Sequence, residues 1–218
     1  MSTYAEIYSP QIAEPDERQW AKYTAYVQHK ILARGFRTDV ISHKGWEVVT
    51  RWAAKVMIAS EYARENGGDR SYFPPQNLLF FGRYGIGKTM LAELLASIIQ
   101  SPDYLFEVYT ADEVEHVFYR EDFEWRCNNL FDEQAIVLDD LGSEMGVRHF
   151  GNLPPMDTIL SRLHDAWRRH RKPVILTTNL SDNELFGTPQ TPGRYGERLR
   201  RRFAEMFVKI KFEMREKP

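Results

Sequence analysis

A single cysteine, Cys127, in 218 residues leaves no partner for an internal disulfide and no set of thiolates for a zinc cluster. Long apolar runs are missing as well, and nothing approaches the roughly 20 residues that cross a bilayer as a helix. The first residues carry Glu6, Glu14, Asp16 and Glu17, with no apolar block behind a basic start. That is not the pattern of a secretory leader, and the cytosol is the expected compartment. Internal repeats and low-complexity tracts are absent. The composition that remains, 43% hydrophobic and 28% charged, is that of a globular chain with one substantial core and an appendage.

A strong net charge is also lacking, but the total of −2 conceals a polarity. Residues 160–218 hold 14 Lys and Arg against 7 Asp and Glu, so that segment carries +7 while the preceding residues carry −9. Such a distribution suits a nucleic-acid surface or a head-to-tail contact between copies of the chain, and equally two solvated ends.

Glycine is concentrated where a backbone must turn sharply. Gly82-Arg83-Tyr84-Gly85-Ile86-Gly87-Lys88-Thr89 follows the apolar run Asn77–Phe81 and precedes a helical pattern from Met90. Positions without Cβ let backbone N–H groups approach a phosphate closely, and the next helix adds its positive end. Gly82, Gly85, Ile86, Gly87, Lys88, Thr89 and Met90 are therefore expected to bind the nucleotide. Lys88 reaches the β and γ phosphates, and the Thr89 hydroxyl is a ligand for Mg²⁺. The alternative is a Gly-rich strand-to-helix turn with a surface lysine.

Periodicity organises the rest. Residues 15–34 place Trp20, Tyr23, Val27 and Ile31 at helical spacing, an aromatic stripe for the chain's own core or for a partner. A second helix is expected over 45–66, ended by Gly67-Gly68, and Pro74-Pro75 forces an extended entry to the strand at 78–81. Helices at 89–100, 111–120, 156–169 and 194–203 then alternate with strands at 105–109, 135–139, 174–178 and 207–212. Strands separated by helices imply a parallel sheet covered on both faces.

Two strand ends carry chemistry. The buried run 135–138 delivers Asp139-Asp140 at its carboxyl end, the edge where open α/β sheets bind ligands. Asp139 can hold Mg²⁺ and Asp140 can polarise an attacking water; a loop aspartate capping the next helix is the other reading. Val174–Leu176 delivers Thr177-Thr178-Asn179, where the Asn179 carboxamide can position water without adding charge, or can simply open a helix capped by Ser181. The stretch 193–203 contains Arg194, Arg198, Arg200, Arg201 and Arg202, more guanidinium groups than one catalytic contact requires.

These stations, in this order, resemble the AAA+ ATPases of the DnaC/IstB-like group, which includes replicative helicase loaders and transposition-helper ATPases. The matching pieces are GRYGIGKTMLA as Walker A, IVLDDLGSE as Walker B, VILTTNLS as sensor 1 and YGERLRRRFAEM as the arginine-finger segment. The resemblance implies a P-loop α/β fold of AAA+ type, with a helical extension at 1–45 and the ATPase core at 46–218. It also implies ATP and Mg²⁺ as cofactors, with Lys88, Asp140, Asn179 and Arg202 in the catalytic set and Thr89 and Asp139 on the metal. Arg202, before Phe203, would act on ATP held by a neighbouring copy, making assembly a condition of hydrolysis. The second Walker B acid is Asp140 where most members have Glu, which implies slow turnover. The sequence runs six residues past Phe212, too few for a helical lid, with Arg215 as the candidate for its sensor-2 arginine. The expected function is an ATPase that controls assembly on a replicative helicase or another DNA-processing protein, with single-stranded DNA contacted through Arg168–Lys172. A transposition helper, a nucleotide-gated module with little turnover and a P-loop small-molecule kinase are the alternatives.

Overall fold

The computed structural model describes residues 16–66, 76–99, 105–117, 131, 135–144, 155–188 and 190–214. In chain order the helices are α1 Glu17–Ala33, α2 His43–Glu65, α3 Lys88–Ile98, α4 Ala111–Val117, α5 Pro155–His170, α6 Asp182–Phe186 and α7 Glu197–Met206. The strands are β1 Asn77–Gly82, β2 Phe106–Thr110, β3 Ala135–Leu141, β4 Val174–Thr178 and β5 Phe207–Phe212. They form one sheet in the order β2-β3-β4-β1-β5, with every pairing parallel. The expected α/β architecture with helices on both faces is what the chain adopts. Gly67-Gly68, Pro74-Pro75, the tail of the helix expected beyond Val117, and Arg215 lie outside the described residues.

Strand alternation builds two cores. Leu78, Phe80, Val137, Ile175 and Ile210 face a layer that takes Val27 and Ile31 from α1, Val49, Ala53 and Val56 from α2, and Leu91 and Leu95 from α3. Leu79, Ile136, Leu138, Val174 and Leu176 face the other way, against Ile159 and Leu163 of α5 and Leu199 and Phe203 of α7. A buried Leu, Val or Ile contributes about 1.5–3 kcal/mol by leaving water, so this two-sided alternation fixes the register of each strand. The stripe on α1 is used by the chain itself: Tyr23, Val27 and Ile31 are buried, and Tyr23 donates its hydroxyl to Glu61 of α2.

Several element bounds differ from the periodic pattern by one to three residues, and two of the starts have visible local reasons. Helix α2 starts at His43, before Gly45, because Ser42 is the N-cap and accepts the Gly45 N–H at 3.0 Å. Helix α7 starts at Glu197 because the two residues before Gly196 are taken by α6: Arg194 N donates to Glu184 O and Tyr195 N to Leu185 O.

Candidate active site

Strands β1, β3 and β4 end side by side, and their carboxyl ends open into a cavity of ≈ 330 Å³ lined by Tyr84, Gly85, Gly87, Lys88, Thr89, Asp139, Asp140, Thr177 and Asn179. The loop between β1 and α3 turns through left-handed backbone at Gly85 (φ 75°) and Gly87 (φ 95°), which a Cβ would strain. Gly87 is the N-cap of α3 and offers no capping side chain, so the first-turn N–H groups remain for an anion. Of the other loop residues expected at the nucleotide, Gly82 closes β1 and gives its carbonyl to Lys88. Ile86 turns into the core, Met90 is exposed on α3, and none of these three lines the cavity.

Lys88 is buried and donates to Gly82 O at 2.9 Å, Arg83 O at 2.8 Å and Asn179 Oδ1 at 2.7 Å. Its three N–H donors are thus held by the loop on one side and the β4 end on the other. Burial pushes the Lys88 pKa down, and the charges of Asp140 and Asp139 work against that shift. A polyanion entering here would meet a cation already desolvated and aimed across the loop.

The two acids share the cavity because β3 is irregular. Leu138 stands opposite Leu176 and Leu141 opposite Thr178, so β3 contains one residue more than β4 over that span, a β-bulge. Regular strand geometry would send Asp139 and Asp140 to opposite faces; with Asp140 in left-handed backbone (φ 56°) both line one cavity. Asp139 Oδ1 accepts from Thr89 Oγ1 at 2.8 Å and Thr177 Oγ1 at 2.5 Å. Asn179 Nδ2 donates to Asp140 Oδ1. Thr177 Oγ1 also accepts the Asp140 N–H at 3.0 Å, so one buried hydroxyl holds both acids. Sequence reasoning assigns Thr177 no role. Its signal is the first of two hydroxyls that close an otherwise apolar buried strand.

The Thr89 hydroxyl and Asp139 carboxylate fit Mg²⁺, which takes one or two protein oxygens and completes its octahedron with water and phosphate. Among the described residues no cluster of three His, Cys, Asp or Glu offers an all-protein cage.

Arg202 stands apart from this cavity. Its Nη1 donates to Ser161 O of α5 at 3.2 Å, Nη2 lies 3.7 Å from Asp165 Oδ1, and the side chain is 17% exposed. Position 202 flanks the buried stripe Leu199–Phe203–Met206 of α7, so helix geometry turns it toward α5. Arg201 is 82% exposed and pairs with Glu197. Arg198 is exposed and has no hydrogen-bond or ionic partner among the described residues. The basic run at the end of α5 sits at the opposite sheet edge, where β4 begins; within it Arg171 lies over the Trp167 ring and Lys172 is buried.

The sequence matches the family "ATPase family associated with various cellular activities (AAA)" over residues 78–207. No curated protein matches it. Among solved structures, the DnaC helicase loader superposes with a TM-score of 0.51 at 18% identity, covering 91% of this chain and 100% of that one. DnaI gives 0.49 at 17% identity over 74% of this chain and 83% of that one. AMPPCP-bound DnaA from Aquifex aeolicus gives 0.47 at 20% identity over 73% of this chain, which spans 46% of the DnaA chain. At these identities the likeness concerns the fold.

Proposed function

The chain belongs to the AAA family of ATPases, and from that membership and the cavity we propose that it binds ATP with Mg²⁺ and hydrolyses it to ADP and phosphate. The observation that carries this is the convergence of the Lys88 ammonium, the Thr89–Asp139 pair and the Asp140–Asn179 pair on one cavity. Lys88 and the start of α3 hold the β and γ phosphates. Thr89 and Asp139 hold Mg²⁺, whose chemistry is to neutralise charge developing on the phosphate oxygens. Asp140 orients and accepts a proton from the water that attacks the γ-phosphorus, as the bond to the β–γ bridging oxygen breaks and ADP leaves. Asn179 holds Asp140 and the water in line. Because an aspartate stands at position 140, turnover is expected to be slow.

A guanidinium from a second copy would complete the charge stabilisation. Geometry favours Arg198 of α7 as the donor, since Arg202 must first release Ser161 and Asp165. We place the protein in the cytosol, where its nucleotide-dependent assembly acts on a DNA-processing partner, a replicative helicase before a transposase. Support for that partner is the motif order GRYGIGKTMLA, IVLDDLGSE, VILTTNLS and YGERLRRRFAEM. Residues 1–45 are taken as a helical extension whose Ile31, Phe36 and Ile41 join the ATPase core. Contact with single-stranded DNA through Arg168 and Arg169 belongs to the same reading, and oligonucleotide titration at two ionic strengths checks it.

The test of the main reading is phosphate release and fluorescent-ATP binding by wild type, Lys88→Ala, Arg198→Ala and Arg202→Ala. Lys88→Ala should lose binding. Arg198→Ala should bind normally and hydrolyse poorly, and mixing it with Asp140→Asn should restore activity. Wild-type chain that neither binds ATP nor releases phosphate ends this reading; poor hydrolysis by Arg202→Ala alone returns the in-trans role to Arg202.

A further inference from the structure

Four residues after Asp140, just past the end of β3, the chain buries a glutamate. The Glu144 side chain is 2% exposed. Its Oε2 accepts the Gly142 N–H at 2.8 Å, and its Oε1 accepts from Arg194 Nε at 2.9 Å and from the Tyr195 hydroxyl. Arg194 also donates to the Glu144 backbone carbonyl. Tyr195 is itself 2% exposed. Burial raises its hydroxyl pKa, reinforced by the Glu144 charge, so the phenol remains a donor. Burial works to lower the Arg194 pKa, and its hydrogen bond and ion pair with Glu144 outweigh that, holding it above the ordinary value.

A buried ion pair is a poor source of stability, because desolvating both charges offsets most of their attraction. It does have direction. Glu144 bonds backward to Gly142, two residues from Asp140, and across to Arg194 and Tyr195, which lead into α7 through Gly196. A second tie links the neighbouring strand end to the same helix: Asp182, three residues past Asn179, pairs with Arg200 at 3.2 Å and with Lys209 of β5. The loop bearing Asp140 and the helix bearing Arg198 are therefore braced as one body.

We propose that Glu144 is a positioning residue for hydrolysis, which fixes the Asp140 loop against the start of α7 so that the acid keeps its place at the reacting centre. The inference rests on the ATPase reading above. In Glu144→Gln an NH₂ replaces the oxygen that faces Gly142 N–H, setting donor against donor. In Tyr195→Phe only one of the donors to Glu144 is lost, a gentler change that preserves the buried ring.

The experiment measures turnover and nucleotide affinity per folded site, well below the melting temperature, in wild type, Glu144→Gln, Tyr195→Phe, Asp140→Asn and the double variant Asp140→Asn/Glu144→Gln. A displacement of about 1 Å at the reacting centre costs on the order of a hundredfold in rate. Glu144→Gln should approach that loss in kcat with ATP affinity changed by less than about threefold, and Tyr195→Phe should show a smaller loss of the same kind. The double variant should be no slower than Asp140→Asn, since Glu144 acts through Asp140. Unchanged kcat in both Glu144→Gln and Tyr195→Phe, or losses that multiply in the double variant, overturn the proposal. A wild-type chain that releases no phosphate overturns instead the ATPase reading beneath it.

Discussion

Asp140→Asn and Asp140→Ala should separate what this residue does for the fold from what it does for turnover. At φ 56° the backbone is one that Asn and Asp tolerate and Ala does not, a difference of about 1 kcal/mol. Alanine also removes the acceptor for Asn179 Nδ2, worth roughly 0.5–1.5 kcal/mol. Both substitutions relieve the repulsion with Asp139 equally, so comparing them cancels that effect. The expected gap between the two variants is about 1.5–2.5 kcal/mol, which for a chain of this length is roughly 5 °C in melting temperature. Thermal unfolding without nucleotide should show Asp140→Asn near wild type and Asp140→Ala lower. Phosphate release should fall by about a hundredfold or more in both, the scale of losing a positioned proton acceptor. Equal melting temperatures for the two variants would refute the strained-bulge account, and wild-type turnover in Asp140→Asn would refute the role given to the carboxylate.

Thr177→Val keeps the shape of a side chain 1% exposed and removes the hydroxyl that holds Asp139 and Asp140. Urea unfolding should show a loss of about 1–3 kcal/mol, with turnover falling in step; an unchanged midpoint would count against the bridge. Thr89→Val should raise the Mg²⁺ concentration for half-maximal phosphate release by about tenfold, and an unaltered Mg²⁺ response would remove Thr89 from the metal. Burial works to raise the Asp182 pKa, yet the hydrogen bonds and charges of Lys209 and Arg200 hold it below the ordinary carboxylate range. Its contribution is therefore present above the unfolded pKa and lost as pH falls through the folded one. Asp182→Asn should be less stable by under about 1 kcal/mol at pH 7 for so exposed a site, and the gap should begin to narrow as pH falls below about 4; a gap as large at about pH 2 as at pH 7 contradicts this.

Motifs that depend on neighbours in sequence are legible in the chain itself. The loop Gly82–Thr89 needs only local turn chemistry, and Ala135–Leu138 and Val174–Leu176 announce themselves as strands buried on both faces. Hence Lys88, Thr89, Asp139, Asp140 and Asn179 meet where their strand ends predict. What the pattern does not show depends on contacts between distant segments. The bulge at Asp139-Asp140 appears only when β3 is laid against β4, and the Thr177 bridge requires the same register. Glu144 reads as a loop acid until Arg194 and Tyr195 arrive fifty residues later. Composition shows Arg202 as one of several arginines in a basic run and the resemblance makes it the finger; in the single chain its angle on α7 faces Ser161 and Asp165. Helical phase, more than composition, separates it from Arg198.

Strand β1, which leads into the phosphate loop, is flanked by β4 on one side and β5 on the other. Its pairing with β5 runs from Asn77 opposite Phe207 to Gly82 opposite Phe212, and Ile41 bridges the same Phe212. Since β5 follows every other strand in the chain, a polypeptide still leaving the ribosome exposes the bare edge of β1 until residues 207–212 emerge. An unpaired edge of Leu-Leu-Phe-Phe is an invitation to aggregate. Truncation before Phe207 should thus yield inclusion bodies, and an affinity tag is better carried on the end that synthesis produces first.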